Sequence, residues 1–125
     1  MDTRKFANRI IELIFTKKGF DVKLIDLNGV TIIADYFIIC SADSEIQVRA
    51  IADEIDKVLR KDGIKCYHKE GMEALHWVLL DYFDVVVHIF KKETREYYNI
   101  EKLWGDATIS EITDPALPTE WNTEK

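Results

Sequence analysis

Apolar residues recur at helical spacing near the start of the chain. Phe6, Ile10, Ile11, Leu13 and Ile14 alternate with Arg4, Lys5, Arg9, Glu12, Lys17 and Lys18. This spacing predicts an amphipathic helix from about residue 3 to 18, stopped at Gly19. Val22 to Leu27 reads as a strand, followed by a turn at Asn28-Gly29. Residues 30–35 fit either irregular chain or a short turn. Tyr36 to Ser41 is apolar on both faces, which predicts a strand inside the sheet. Ser44 and Gln47 have the spacing of a capping box. They open a helix whose buried stripe is Val48, Ile51, Ala52, Ile55, Val58 and Leu59, with Gly63 just past its end. Ile64 to Lys69 predicts a short strand, and residues 70–74 a loop.

The longest apolar stretch, His76 to Phe90, reads as two strands joined by a tight turn. Its second arm is too apolar to have a wet face, so its middle belongs deep in a sheet. A turn centred on Tyr82 and Phe83 puts Trp77 opposite His88, Leu79 opposite Val86 and Asp81 opposite Asp84. Val78 and Leu80 then share a plain core face with Val85, Val87 and Ile89. The other face is mixed, with an indole in its middle, the composition of a contact surface. Tyr-Phe is poor chemistry for a two-residue turn, so a four-residue turn is the alternative.

After a polar exit over residues 91–94, Tyr97, Ile100, Leu103 and Trp104 predict a last short helix ended by Gly105. Periodicity fades from Asp106, and Pro115 and Pro118 exclude a continuous helix. Residues 106–125 are expected to be an irregular tail, with Ile109, Ile112, Leu117 and Trp121 placed to clip onto the body. The order α-β-β-α-β-β-β-α predicts an α/β (mixed α+β) domain over residues 1–105: one mixed sheet with flanking helices.

Composition adds limits. The 125 residues suit one domain, and 47% hydrophobic residues suffice for a core. No apolar run reaches the length of a membrane span. The first residues do not form a signal peptide, so the expected compartment is the cytoplasm. Cys40 and Cys66 lack metal or redox spacing, and Cys40 reads as a core residue. The net charge of −6 disfavours broad phosphate-backbone binding and suits a basic protein partner.

Little points to catalysis. Asp35, Asp81, Asp84, His68, His76 and His88 include no ligand-spaced pair, so no metal site is expected. Ser41 and Ser44 are accounted for by a turn and a cap, and no nucleophile elbow or phosphate loop is present. The segment Lys91-Lys92-Glu93-Thr94-Arg95-Glu96-Tyr97-Tyr98 mixes basic and aromatic residues, but its glutamates fit a solvated helix start better than a nucleic-acid site. Trp77 stands out, because tryptophan is a common interface anchor and Asp81 and His88 are its neighbours in this reading.

Several ordered blocks resemble one family. They are Ala34-Asp35-Tyr36-Phe37-Ile38-Ile39-Cys40-Ser41, Gln47-Val48 with Ile51-Ala52-Asp53, Glu70-Gly71, Trp77-Val78-Leu79-Leu80-Asp81-Tyr82, Asp84 through Phe90, Tyr97-Tyr98, Glu101 and Leu103-Trp104. Over about residues 4 to 107 the chain resembles the ribosomal silencing factor, or Iojap, family. The resemblance implies a nucleotidyltransferase-like α/β fold without catalysis or cofactor. It also implies binding to the large ribosomal subunit through its fourteenth protein, a block on joining of the small subunit, and a homodimer. The family's contact surface is associated with the tryptophan matched by Trp77. Asp81, Glu70 and His88 complete the expected partner-binding set. The chain departs from the family pattern at Phe83 and Ala42, where glycine is usual. The rival classes are a nucleotidyltransferase-like enzyme and a homodimeric scaffold.

Overall fold

The computed structural model describes residues 2–114, which build one six-stranded mixed sheet with helices on both faces. Helix α1, Thr3–Thr16, is capped by Asp2, whose carboxylate accepts the Arg4 amide at 3.2 Å. Strands β1, Phe20–Asp26, and β2, Tyr36–Ala42, follow. Helix α2, Glu45–Lys61, starts at Ser44, whose hydroxyl accepts the Gln47 amide at 3.2 Å. The Gln47 side chain reaches back to the Asp43 amide at 2.6 Å, one residue beyond the expected partner. Strands β3, His68–Glu70, β4, Trp77–Asp81, and β5, Val85–Lys91, come next. Helix α3, Lys92–Tyr98, a 3-10 turn, Ile100–Trp104, and strand β6, Thr108–Ile112, are the last elements among the described residues.

The strand order is β3-β4-β5-β2-β1-β6, with β2 and β5 parallel and every other pair antiparallel. The two most apolar strands, β2 and β5, therefore lie side by side in the middle, as their sequences require. Helices α1 and α2 cover one face. Ile10, Ile14, Ile51, Ile55 and Leu59 pack there with Leu24, Ile38, Val78, Leu80, Val87 and Ile89. Cys40 lies in this core, and burial pushes its thiol up to about 12. The opposite face carries Ile25, Phe37, Ile39, Val86 and Phe90, with Trp77, Leu79 and Trp104 at its margins.

Three expectations are corrected. The tail is not irregular from Asp106, because Thr108–Ile112 pairs antiparallel with β1 as an edge strand. Thr108, Ile109, Ser110 and Glu111 are all exposed, so no strand-like burial pattern marks this segment; ladder pairing places it. The expected clip by Leu117 and Trp121 lies outside the described residues. The last helix is two pieces, broken where Asn99 takes the left-handed conformation (φ 46°), and α3 begins directly after β5 with no polar exit. Of the proposed Ile64–Lys69 strand only His68 and Lys69 enter the ladder, which runs on to Glu70, and β3 is exposed throughout.

The fourth correction is the register of the hairpin. Trp77 faces Phe90, Leu79 faces His88 and Asp81 faces Val86. The turn centres on Phe83 and Asp84, not on Tyr82 and Phe83. Tyr82 donates its amide to the Val85 carbonyl at 2.9 Å, and Asp84 donates to the Tyr82 carbonyl at 3.0 Å around Phe83, whose φ is +75°. Moving the turn by one residue shifts every pair by two. A shift of two keeps each side chain on its face, so the separation into core face and mixed face stands.

Candidate functional site

The mixed face is built from alternate residues of neighbouring strands. Register puts Glu70 of β3, Trp77, Leu79 and Asp81 of β4, and Val86, His88 and Phe90 of β5 on it together. Helix α3 and the 3-10 turn cover its middle, leaving the β4 side open.

Trp77 is half-buried at that margin. Its ring stacks on Phe90, centroids 4.8 Å apart and planes at 27°, and meets Tyr98 at 5.1 Å and 46°. Its indole N–H donates to Nδ1 of His88 at 3.2 Å. His88 is buried, 4% exposed, and sits edge-on against Phe37 at 4.7 Å. Burial holds its imidazole down at about 4, so it is neutral, with its proton on Nε2, which is buried without a partner.

Trp77 is held from behind by backbone. Gly71, at φ +87°, lies so close that a Cβ there would stand 2.0 Å from the Trp77 carbonyl oxygen. The loop over residues 71–75 therefore locks the start of β4 in place, and glycine is what the approach demands.

The other two expected residues lie further along the face. Asp81 is four residues from Trp77, about 13 Å along the strand. Its Oδ1 accepts the Phe83 amide at 2.8 Å, so one carboxylate oxygen shapes the turn. Glu70 is exposed opposite Leu79 and contacts Nε2 of His68 at 2.6 Å. The structure thus brings Trp77 and His88 into contact and strings Glu70 and Asp81 along the same surface.

Sequence reasoning missed Phe90, Tyr97 and Tyr98 as neighbours of Trp77. Phe90 follows from the register once the turn is centred on Phe83 and Asp84. The tyrosines arrive through the placement of α3, which the local pattern does not encode. Tyr97 is 81% and Tyr98 53% exposed, and their rings meet edge-on at 5.0 Å. Together with Trp77 they border an open groove of about 450 Å³ that Gly71, Ala74, His76, Glu93 and Thr94 complete.

A second cleft of about 460 Å³ opens near the β1 end of the sheet, and it is held by charge. Arg95 is buried there. It donates to the Asp21 carbonyl at 2.6 Å, to the Ser41 hydroxyl at 2.8 Å and to both oxygens of Glu101 at 3.3 and 3.1 Å. Burial pushes the Glu101 carboxyl up, but Arg95 and Lys23 outweigh it and hold it below its ordinary value. Its cations are paired within the chain: Arg95 and Lys23 with Glu101, and Lys92 with Asp43. This cluster ties α3 and the 3-10 turn to β1 and β2.

These features define a single mixed-sheet α+β domain with an aromatic margin on one face. The family model described as "Ribosomal silencing factor during starvation" matches residues 1–125. The chain belongs to the ribosomal silencing factor family. It is 44% identical over 112 residues to the ribosomal silencing factor of Halalkalibacterium halodurans, covering 90% of this chain and 96% of that one. It is 46% identical over 96 residues to that of Bacillus subtilis, covering 77% and 81%. A crystal structure of a protein from Chromobacterium violaceum superposes with a TM-score of 0.81 at 34% identity, covering 95% of this chain and 99% of that one.

Proposed function

We propose that this protein is a translational repressor of the cytoplasm that acts by occupying a surface. It binds the large ribosomal subunit through that subunit's fourteenth protein and thereby keeps the small subunit from joining. The observation that carries the reading is Trp77: a half-buried indole, oriented by His88 and Phe90, at the open margin of the sheet in a chain of this family. Tryptophan held this way loses little rotamer freedom on docking and offers a large apolar area. The free oxygen of Asp81 and the carboxylate of Glu70 offer acceptors to basic groups on the partner, and the net charge of −6 favours the encounter. His88 positions the indole from beneath. The action is steric and uses no chemistry of its own. Self-association, which the family resemblance implies, belongs to the same proposal, and sedimentation velocity at several concentrations reads it.

The test is Trp77→Ala. Truncating an anchor of this kind costs about 2 kcal/mol or more, some thirtyfold in affinity. The variant should keep its circular dichroism spectrum, lose co-sedimentation with purified large subunits and stop preventing subunit joining in a mixing assay. Unchanged binding by a folded variant removes Trp77 as the anchor.

A further inference from the structure

The groove beside Trp77 has a composition of its own. Its walls include the ring of Trp77 and the exposed rings of Tyr97 and Tyr98, set at steep angles to one another: 46° between Trp77 and Tyr98, and 89° between Tyr98 and Tyr97. Glu93 lines the same groove. The other polar ring there, the imidazole of His76, contacts Glu45 at 3.0 Å. Glu93 makes no ion pair among the described residues. Aromatic faces present negative electrostatic potential, and an unpaired carboxylate adds a full charge. A concavity of several inclined rings with one free carboxylate is complementary to a cation.

We infer that this groove receives an arginine side chain of the partner polypeptide, with its guanidinium against the tyrosine rings and its N–H groups donating to Glu93. The planar guanidinium stacks on a ring while donating in its own plane to a carboxylate, which an ammonium cannot do. This rests on the reading of the Trp77 margin as the docking surface and adds the chemistry of what enters it. It also gives Tyr97, which is 81% exposed and does nothing for the core, a reason to be aromatic.

Two measurements separate this inference from the reading beneath it. In the first, the isolated protein is titrated with N-acetyl-arginine amide, and in parallel with N-acetyl-lysine amide, following the Trp77 indole N–H resonance. Arginine should move that resonance saturably at millimolar concentration, lysine less, and Tyr97→Leu should abolish the response. No arginine response, or an equal one from lysine, overturns the inference. In the second, affinity for purified large subunits is compared between Tyr97→Leu, Glu93→Gln, Tyr97→Phe and Trp77→Ala. Tyr97→Leu should weaken binding by roughly three- to thirtyfold, and Tyr97→Phe by less than twofold. Glu93→Gln should weaken it severalfold and flatten its salt dependence. If Trp77→Ala loses binding while Tyr97→Leu and Glu93→Gln bind like the parent, the arginine groove is wrong and the docking surface stands. If Trp77→Ala also binds like the parent, both fall.

Discussion

Trp77 donates its indole N–H to Nδ1 of His88, 3.2 Å away on the neighbouring strand. The two are not directly opposite; Trp77 faces Phe90 and reaches diagonally to His88. The bond requires an unprotonated Nδ1. The half-buried indole at the sheet margin is thus supported by a buried base whose charge state decides whether the support exists.

Acid should therefore loosen the site. Burial holds the His88 imidazole at about 4, below its ordinary 6.5. The unfolded chain binds a proton between those values and the folded chain does not, so the unfolded state gains as pH falls. The stabilising contribution is complete above 6.5 and disappears as pH drops through about 4. Its size is about 3 kcal/mol. Urea unfolding across pH 7 to 3.5 should show this slope, and His88→Leu should remove its portion between 6.5 and 4. An unchanged slope in the variant would place the titration elsewhere.

Arg95 is the second buried polar centre, and its loss should be costly. Removing it leaves Glu101 half-buried without its main partner, and the Ser41 hydroxyl and Asp21 carbonyl without a donor. Breaking such a pair from one side typically costs about 3 kcal/mol or more. Arg95→Met should lower the unfolding free energy by about that amount. Adding Glu101→Gln to Arg95→Met should cost less than Glu101→Gln alone in the parent, the coupling that a double-mutant cycle reads.

What the sequence made legible divides along physical lines. The core face of the hairpin, the central placement of β2 and β5, and the stripe of α2 rest on periodicity and apolar density, and both are local. Trp77 was legible for the same reason, because alternation puts it off the core face under either register. The register itself turned on one residue, Phe83, which adopts a positive φ that aromatic residues seldom take. Strand β6 was hidden because its exposed residues carry no core signal and it exists through its ladder with β1. Arg95 read as part of a solvated helix start, yet it is buried, because its partners Asp21 and Ser41 are 74 and 54 residues away in the chain.

Gly71 should be the least replaceable glycine near the site. A Cβ would meet the Trp77 carbonyl oxygen at 2.0 Å, and the positive φ adds backbone strain. Gly71→Ala should lose about 2 kcal/mol or more and move the loop that locks Trp77. Gly29 supplies the control. It has a similar φ of +82° with nothing within 4 Å of a Cβ, so Gly29→Ala should cost only about 1 kcal/mol. The difference between the two melting midpoints isolates the steric contact, and equal midpoints would show that the loop yields freely.

The hairpin turn gives a prediction of opposite sign. Phe83 sits at φ +75° with its amide bound to Oδ1 of Asp81 at 2.8 Å. A bulky residue in this region is strained by about 1–3 kcal/mol, and glycine is not. Glycine forfeits some chain entropy and the contact of the Phe83 ring with Tyr67, centroids 4.3 Å apart, worth about 0.5–1.5 kcal/mol. Phe83→Gly should therefore leave stability equal to the parent or up to about 1 kcal/mol higher. In a Tyr67→Ala background the ring contact is already gone, so the same substitution should gain more, by about the value of that contact. Chemical denaturation of the four proteins reads both numbers. A clear loss on Phe83→Gly in both backgrounds would mean the turn holds Phe83 without strain, and that Asp81 owes its position to something other than this turn.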